Sequence, residues 1–234
     1  MAKDLMLQKL EKESVGRLLW QYSLPAVIGL AAVSAYNIID SIFVGQWCSP
    51  FAVAALALTF PVMNLTIAFG TLVGLGTAAT ASITLGQHDY ERAFRVLGHC
   101  VILGIIVGIV VGWAPLPWLH EILEVFGARG EALEEAYNFM FVIMLGFPLS
   151  TCFLNLNHLM RASGYPRKAM LSLLITMVVN LIAAPIYMQV FGMGVSGAAW
   201  ATITGQAVGL VWVLIHYFNK RQLLHFRRGI YKLN

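Results

Sequence analysis

The sequence predicts an all-α integral membrane protein with six transmembrane helices, and three observations lead to this class. Hydrophobic residues make up 59% of the 234 residues and charged residues only 11%, whereas soluble domains carry about 25% charged residues. The mean hydropathy is +0.76. The chain also contains six apolar segments that reach or nearly reach the length of about 20 residues needed to span a bilayer. These properties exclude a water-soluble globule.

The six segments predict one transmembrane domain over residues 1–218, because no low-complexity tract or linker divides them. Backbone polar groups in lipid must be satisfied within each segment, which requires helices. Alternating runs of about ten residues, typical of barrel strands, are not found. The approximate bounds of the segments are Leu18–Val44, Phe51–Leu85, Val96–Ala114, Ala136–Met160, Ala169–Val190 and Val195–Phe218. Residues 219–234 form a basic tail.

The basic residues predict the orientation in the membrane. Of the 15 Lys and Arg residues, all except Arg129 lie in the terminal tails, the second-to-third loop or the fourth-to-fifth loop. Cytoplasmic loops of membrane proteins carry an excess of Lys and Arg, so we expect both termini in the cytoplasm. The net charge of +4 is then explained by topology, and no nucleic-acid partner is expected.

Two local patterns predict helix packing. The outer loop holds Leu119, Ile122, Leu123 and Phe126 at helical spacing. They predict a short amphipathic helix on the outer surface, with a solvated loop as the alternative. Glycines also recur four residues apart, which allows close helix approach. The pairs are Gly70/Gly74, Gly104/Gly108, Gly108/Gly112 and Gly205/Gly209. We expect packing within one bundle, with a specific dimer contact as the alternative.

Asp40 is the only Asp, Glu, Lys or Arg within the six segments. A charge at membrane depth costs roughly 2.5–3.5 kcal/mol on insertion scales and tends to be retained for a function. Asp40 lies about 30 Å along the helix axis from Trp20, so an acid at the outer interface with its head in water is the alternative. Tyr36 and Asn37, about one turn earlier, can share a helix face with Asp40.

Polar residues also interrupt the later segments. Asn180 lies in the middle of the fifth, Thr202, Thr204 and Gln206 lie in the sixth, and Asn155, Asn157 and His158 lie toward the cytoplasmic end of the fourth. Together they can line a polar cavity between helices. Alternatively, each makes a single hydrogen bond to a neighbouring helix, and this is the reading we favour for Thr204 and Gln206.

Several motifs, in their order and spacing, resemble the amino-terminal six-helix half of a multidrug and toxic compound extrusion (MATE) family transporter. They cover nearly the whole chain. The motifs are Pro25, Tyr36–Gly45, Gly74–Ala79, Leu85–Gln87, Arg161–Pro166, Asn180 with Pro185, and Gly192–Thr202.

The resemblance implies efflux of lipophilic or cationic drugs or metabolites, driven by inward movement of H⁺ or Na⁺ across a prokaryotic inner membrane. We expect no enzymatic activity, because the sequence has no phosphate loop, no metal-ligand cluster and no nucleophile–base pair at membrane depth. No metal and no cofactor besides the coupling ion are expected. The resemblance also assigns roles to individual residues. A cation- or proton-coupling site would comprise Asp40, Tyr36, Asn180 and Thr202, and Pro25 would bend the first helix. The pattern of polar residues itself, rather than the resemblance, indicates Asn37, Asn155 and Asn157 as possible cavity-lining residues.

The sequence departs from the family at one position of the coupling site. Many members carry a second acid four residues after the asparagine that corresponds to Asn180, whereas this chain has Ala184. A Na⁺ site needs several hard oxygen ligands, and a single carboxylate is better suited to reversible protonation. We therefore favour H⁺ over Na⁺ as the coupling ion.

The chain also has six helices where family members have twelve. We expect a second six-helix half, supplied by a separate chain, by a homodimer, or by a longer chain of which this is a fragment. The tail at residues 219–234 resembles the start of the linker between two halves. Two alternative functions remain: a flippase of lipid-linked saccharides with the same broad fold, and a non-transporting, truncated membrane protein.

Overall fold

The computed structural model describes residues 14–220 and 222–227, and within them it contains helices and no strand. Six of the helices are long and apolar enough to cross a membrane. The prediction of an all-α protein with six membrane-spanning helices is therefore confirmed, while the orientation of the termini stays a prediction. The helices are α1 (Val15–Trp47), α2 (Pro50–Gly86), α3 (Tyr90–Trp113), α4 (Leu119–Val125), α5 (Glu131–Ala162), α6 (Pro166–Pro185) and α7 (Gly194–Phe218).

Local sequence explains where several helices begin and end. Pro50 and Pro166 stand in the first turns of α2 and α6, where a missing backbone N–H leaves no intrahelical bond unmade. Asp89 caps α3 by accepting a hydrogen bond from the backbone N–H of Arg92 at 3.0 Å. After Pro185, α6 continues as a π-helical turn over Ile186–Val190, which is the kind of local widening that a proline within a helix can introduce.

The centre of the lobe is α5, which contacts α2, α3, α4, α6 and α7. The glycines of α3 allow its backbone to approach that of α5 closely. A Cβ atom placed on Gly108 would lie 2.6 Å from the Cα of Pro148, and one on Gly112 would lie 2.8 Å from the carbonyl oxygen of Met144. Only glycine allows the two backbones to come this close.

The other glycine pairs have the same role. Gly70 and Gly74 of α2 face side chains of α5, and Gly205 and Gly209 of α7 face Thr176 of α6. In the part of the chain that the structure describes, the glycines of all four pairs therefore serve packing within one bundle, as expected.

The first helix lies at the edge of the bundle. It contacts α6 over much of its length and also touches α2 and α7. Pro25 and Gly29 form part of its buried face, and a Cβ atom on Gly29 would lie 2.8 Å from a methyl group of Leu173 in α6. The opposite face exposes large apolar side chains such as Val27 and Leu30. A face of this kind is suited to lipid or to another helical lobe.

The predicted outer-loop helix exists, with one side packed on the lobe and the other side exposed. A 3₁₀ turn at Leu116–Trp118 leads into α4. Leu119 and Leu123 are fully buried against the bundle core, so the apolar side of α4 faces protein. The prediction placed this helix on the outer surface without naming the partner of its apolar side, because spacing alone does not reveal what covers an apolar face.

The start of the basic tail packs against the lobe. The backbone N–H of Phe226 donates to the carbonyl oxygen of Tyr217 at 2.9 Å, and Leu224 is buried in an apolar cluster shared with several helices of the lobe. The remainder of the predicted tail lies outside the described residues. Its resemblance to an inter-lobe linker stays a prediction.

Candidate functional site

Three of the predicted coupling-site residues meet where α1, α6 and α7 converge. The side-chain amide nitrogen of Asn180 donates to Oδ2 of Asp40 at 3.2 Å and lies 3.3 Å from Oγ1 of Thr202. The Thr202 hydroxyl in turn donates to the carbonyl oxygen of Ala198, one turn earlier in α7. One amide thus joins a carboxylate and a hydroxyl from two other helices, although 140 residues separate Asp40 from Asn180.

The group retains unused acceptor capacity. Oδ1 of Asp40 and Oδ1 of Asn180 are both buried, and neither has a hydrogen-bond partner. Leaving a buried acceptor unsatisfied costs about 1–3 kcal/mol, and more for a charged group. A bound proton would turn the carboxylate into a donor. The geometry therefore suits a site that takes up and releases a positive charge.

Tyr36 forms the next layer of the site, one turn before Asp40 in α1. Its side chain is buried. In α7, Gln206 lies one turn after Thr202 and accepts a hydrogen bond through Oε1 from the hydroxyl of Ser150 in α5. That bond connects α7 and α5.

Gln206 makes the single interhelical hydrogen bond expected of it, but sequence reasoning did not single out its partner Ser150. Gln206 follows Thr202 by four residues. That spacing places Gln206 on the same face of α7 as Thr202, but it does not reveal which neighbouring helix this face contacts. Ser150 gave no signal, because a serine in an apolar helix commonly bonds its own backbone, as Ser150 also does with the carbonyl oxygen of Gly146.

The possible cavity-lining residues do not join this group. Asn37 is exposed, on a different side of α1 from Tyr36. Asn157 is buried between α5 and α6, where its amide donates to the carbonyl oxygen of Ala169 at 2.9 Å and to the hydroxyl of Ser172 at 2.6 Å. Asn155 is fully buried beside Gly74 and Gly104. Each of the three is placed in a different environment from the Asp40 group.

Ala184 occupies the position of the second acid, and it is fully buried in an apolar cluster that includes Val44 and Ala198. Asp40 and Val44 are one turn apart in α1, as Asn180 and Ala184 are in α6. The layer beyond Asp40 is therefore apolar. Within the described spans, Asp40 supplies the only carboxylate of this group.

A second polar contact lies beside the group. The π-helical turn carries Tyr187, whose hydroxyl is 3.2 Å from that of Thr204 in α7. Gly197 permits this approach, because a Cβ atom there would lie 2.9 Å from backbone atoms of Tyr187 and Met188. Thr204 thus makes the single interhelical bond expected of it.

Comparisons with known proteins agree with this architecture. The family model MatE matches residues 25–186. Multidrug export protein MepA of Staphylococcus aureus (strain NCTC 8325 / PS 47) is 29% identical over 232 residues, which is 99% of this chain and 51% of the relative. MepA of Staphylococcus haemolyticus is 28% identical over 224 residues, 96% of this chain and 50% of the relative. The chain therefore spans about half the length of these curated relatives.

Solved structures give the same result. A MOP-superfamily transporter from Pyrococcus furiosus, for which a reversed polarity of the binding pocket suggests a different function, superposes with a TM-score of 0.90 at 28% identity, over 97% of this chain and 50% of that one. An outward-facing multidrug resistance MATE transporter superposes with a TM-score of 0.86 at 29% identity, over 92% of this chain and 48% of that one. The family match over most of the chain, the six spans and these superpositions establish that the chain belongs to the MATE family of membrane transporters.

Proposed function

We propose that this chain forms one half of a cation-coupled efflux antiporter, with H⁺ rather than Na⁺ as the coupling ion. The observation that carries the proposal is the group formed by Asp40, Asn180 and Thr202, in which a buried carboxylate oxygen has no partner. Carboxylates inside membrane proteins commonly mark ion or proton pathways. The transport activity in this proposal rests on the membership of the chain in the MATE family.

The choice of H⁺ rests on the environment of Asp40. A dehydrated Na⁺ needs several oxygen ligands and enough negative charge to offset its desolvation. The layer beyond Asp40 offers only the apolar side chains of Ala184 and Val44. A single carboxylate with a neutral amide and a hydroxyl beside it can bind one proton and become neutral.

The proposed mechanism starts from ionised Asp40, which keeps the interior of the lobe polar and able to hold a cationic substrate. A proton that enters from the outside neutralises Asp40 and weakens its attraction for the Asn180 amide. The first helix then bends near Pro25, repacks against α6, and releases the substrate outward. Alternating access follows from rocking between the two lobes.

The environment of Asp40 also indicates a class of substrate. A polar group with one negative charge, surrounded by apolar helices, favours lipophilic cations. The relatives bear the name of multidrug exporters, which is consistent with a broad range of substrates. A flippase of lipid-linked saccharides is less well supported, because a phosphate-bearing substrate calls for cations in the cavity and Asp40 is an acid.

The second half of the transporter is supplied by a partner lobe or by a continuation of this chain. A direct test reconstitutes the chain in vesicles, alone and with such a half, and records efflux of a fluorescent lipophilic cation under an imposed pH or Na⁺ gradient. We expect efflux only when two lobes are present, driven by the pH gradient. Efflux driven by Na⁺ alone would refute the choice of ion. The mass of the particle in mild detergent separates a homodimer from a single lobe.

Replacing Ala184 by Asp tests the choice of ion through stability. The new carboxylate would lie one turn beyond Asn180 at a fully buried site, where an unpaired charge is strongly destabilising. We expect a lower unfolding temperature in Na⁺-free buffer and recovery when Na⁺ is added. Stabilisation amounts to about 2.7 kcal/mol when Na⁺ is at 100 times its Kd.

The matched control is Ala184→Asn, which has nearly the same shape as the Asp variant but no charge. Its unfolding temperature should fall without recovering in Na⁺. If Na⁺ stabilises the wild-type chain as much as the Asp variant, then the single carboxylate already binds Na⁺ and the preference for H⁺ is wrong.

A further inference from the structure

We propose that residues 222–227 form a strap that fastens the start of α6 to the end of α7, so that a pull on the chain beyond Arg227 acts on the two helices that carry Asn180 and Thr202. The strap follows α7 and lies at the end of the lobe that the basic residues predict to be cytoplasmic. The inference rests on the proposed function in one respect, because the pull would come from a second lobe that moves.

The strap turns back onto the helix that precedes it. The backbone N–H of Phe226 donates to the carbonyl oxygen of Tyr217 at 2.9 Å. The centre of the Phe226 ring lies 5.2 Å from that of Phe218 and 5.8 Å from that of Tyr217. Because one of these contacts is a bond between backbone groups, it fixes the path of the chain and not only the position of a side chain.

Tyr165 joins the strap to the start of α6. This residue directly precedes Pro166, where α6 begins, and its hydroxyl oxygen accepts a hydrogen bond from the backbone N–H of Leu223 at 3.3 Å. The Tyr165 ring also meets the ring of His216 edge-on, with centroids 4.7 Å apart. One side chain therefore contacts both the strap and the last turn of α7.

Lys168, in the first turn of α6, contacts the same pair of rings. Its Nζ lies 3.3 Å from Nδ1 of His216 and 5.1 Å from the centre of the Tyr165 ring. An ammonium group can only donate, so the imidazole nitrogen accepts, and the face of the aromatic ring attracts the positive charge. The start of α6 and the end of α7 are thus joined by three side chains, to which the strap adds its own bond.

Leu224 anchors the strap in the apolar core. Its side chain is 1% exposed and belongs to a cluster with side chains of α3, α5, α6 and α7. The ring of the neighbouring His225 packs edge-on against Phe94 of α3, with centroids 5.1 Å apart. Removing a buried leucine from its apolar surroundings is unfavourable. The strap can therefore leave the lobe only by exposing this side chain.

The two helices that the strap fastens are in backbone contact along their length. A Cβ atom on Gly205 of α7 would lie 2.7 Å from the carbonyl oxygen of Thr176 in α6, and one on Gly197 would lie 2.9 Å from the backbone of the π-helical turn. Asn180 and Thr202 lie between these two contacts. Helices packed this closely move together, so a pull on the strap displaces both residues as a unit against α1.

The test is amide hydrogen exchange of the complete chain in neutral phospholipid vesicles, read by mass spectrometry that resolves single amides. In the wild type, we expect the amides of Leu223 and Phe226 to exchange at least about 100-fold more slowly than in a free peptide of the same sequence. Leu224→Ser removes the apolar anchor and should abolish this protection. It should also speed exchange in the second turn of α6 by at least about 10-fold.

Two substitutions of tyrosine by phenylalanine separate the strap from a general loosening of the lobe. Tyr165→Phe keeps the ring but removes the acceptor of the Leu223 amide, so exchange of that amide should rise while the Phe226 amide stays protected. Tyr187→Phe removes a hydroxyl contact at the other end of the same helix pair and should leave the strap unchanged. Both variants keep the Leu224 anchor, so the proposal can be tested even if Leu224→Ser folds poorly.

The consequence for transport is tested in the assembled two-lobe transporter. Leu224→Ser should lower the initial rate of efflux at least about 5-fold, because conformational steps often limit the rate of such cycles. The pH dependence of substrate binding should stay as in the wild type, since the strap contacts no member of the Asp40 group. Leu224→Met, which keeps an apolar anchor of similar size, should retain the wild-type rate.

The outcomes distinguish this inference from the proposed function. If the strap amides of the wild type exchange as fast as those of the free peptide, the strap is refuted whether or not the chain transports. If Leu224→Ser frees the strap but changes neither the protection of α6 nor the rate of efflux, the fastening has no effect and the inference is also refuted. If exchange follows the expectation but the wild-type assembly shows no efflux, the fastening stands and the transport proposal fails.

Discussion

Replacing Asp40 by Asn is expected to reduce pH-driven efflux by the assembled transporter to the level of empty vesicles. The substitution preserves the size of the side chain and a hydrogen bond to Asn180, yet it removes the only carboxylate of the group. A carboxamide cannot take up a proton in this pH range, so the driving ion has no site. Substrate binding should also become independent of pH. Both effects are measured with the same fluorescent cation, by efflux and by equilibrium binding.

The control for this experiment is Asp89→Asn, the same chemical change at an exposed position outside the spans. Asp89 caps α3 through the backbone N–H of Arg92, and Asn is an equally good residue at that position. Its efflux should match the wild type. Normal pH-driven efflux by Asp40→Asn would show that the coupling site lies elsewhere in the transporter.

Replacing Gly108 by Ala is expected to cause the largest loss of stability among single-methyl additions to α3. The added carbon would lie 2.6 Å from the Cα of Pro148 and 2.5 Å from the hydroxyl oxygen of Thr151. Backbone cannot rotate away as a side chain can, so α3 and α5 must separate. Overpacking of this kind typically costs about 1–3 kcal/mol, and we expect the upper end of that range.

The matched control is Gly76→Ala, because Gly76 has no heavy atom within 4 Å of its added carbon. Its unfolding temperature should be unchanged or slightly raised, since Ala has the higher helix propensity. Unfolding can be followed with a thiol-reactive dye, because Cys100 is fully buried in the folded chain. Equal destabilisation by the two substitutions would show that the contact between α3 and α5 is looser than described.

The sequence was sufficient to predict the spans, because lipid imposes a simple requirement of length and apolarity on each helix. It could not give the contact between Gln206 and Ser150. That contact depends on how far one helix is shifted along another, a quantity set by the packing of the whole bundle. The same reason explains Asn157, whose polar character was recognised but whose partner, the start of α6, was not.

The group of Asp40, Asn180 and Thr202 was predicted by a different route. Composition identified only Asp40. The assignment of Asn180 and Thr202 to the same site came from the resemblance to a family rather than from spacing. The structure adds that Ala184 lies in an apolar cluster, which a sequence letter does not reveal. It also shows that α4 packs on the lobe through Leu119 and Leu123, which are fully buried.

The backbone contact between α3 and α5 divides the lobe into a stiff part and a compliant part. Two helices that touch through glycine cannot slide past each other without first moving apart, whereas α1 is at the edge and is held to α6 mainly by side chains. If Asp40 binds the proton as proposed, the free energy released would act first on α1, the helix at the edge of the bundle. The contact between α3 and α5 would then provide the fixed frame against which α1 is displaced.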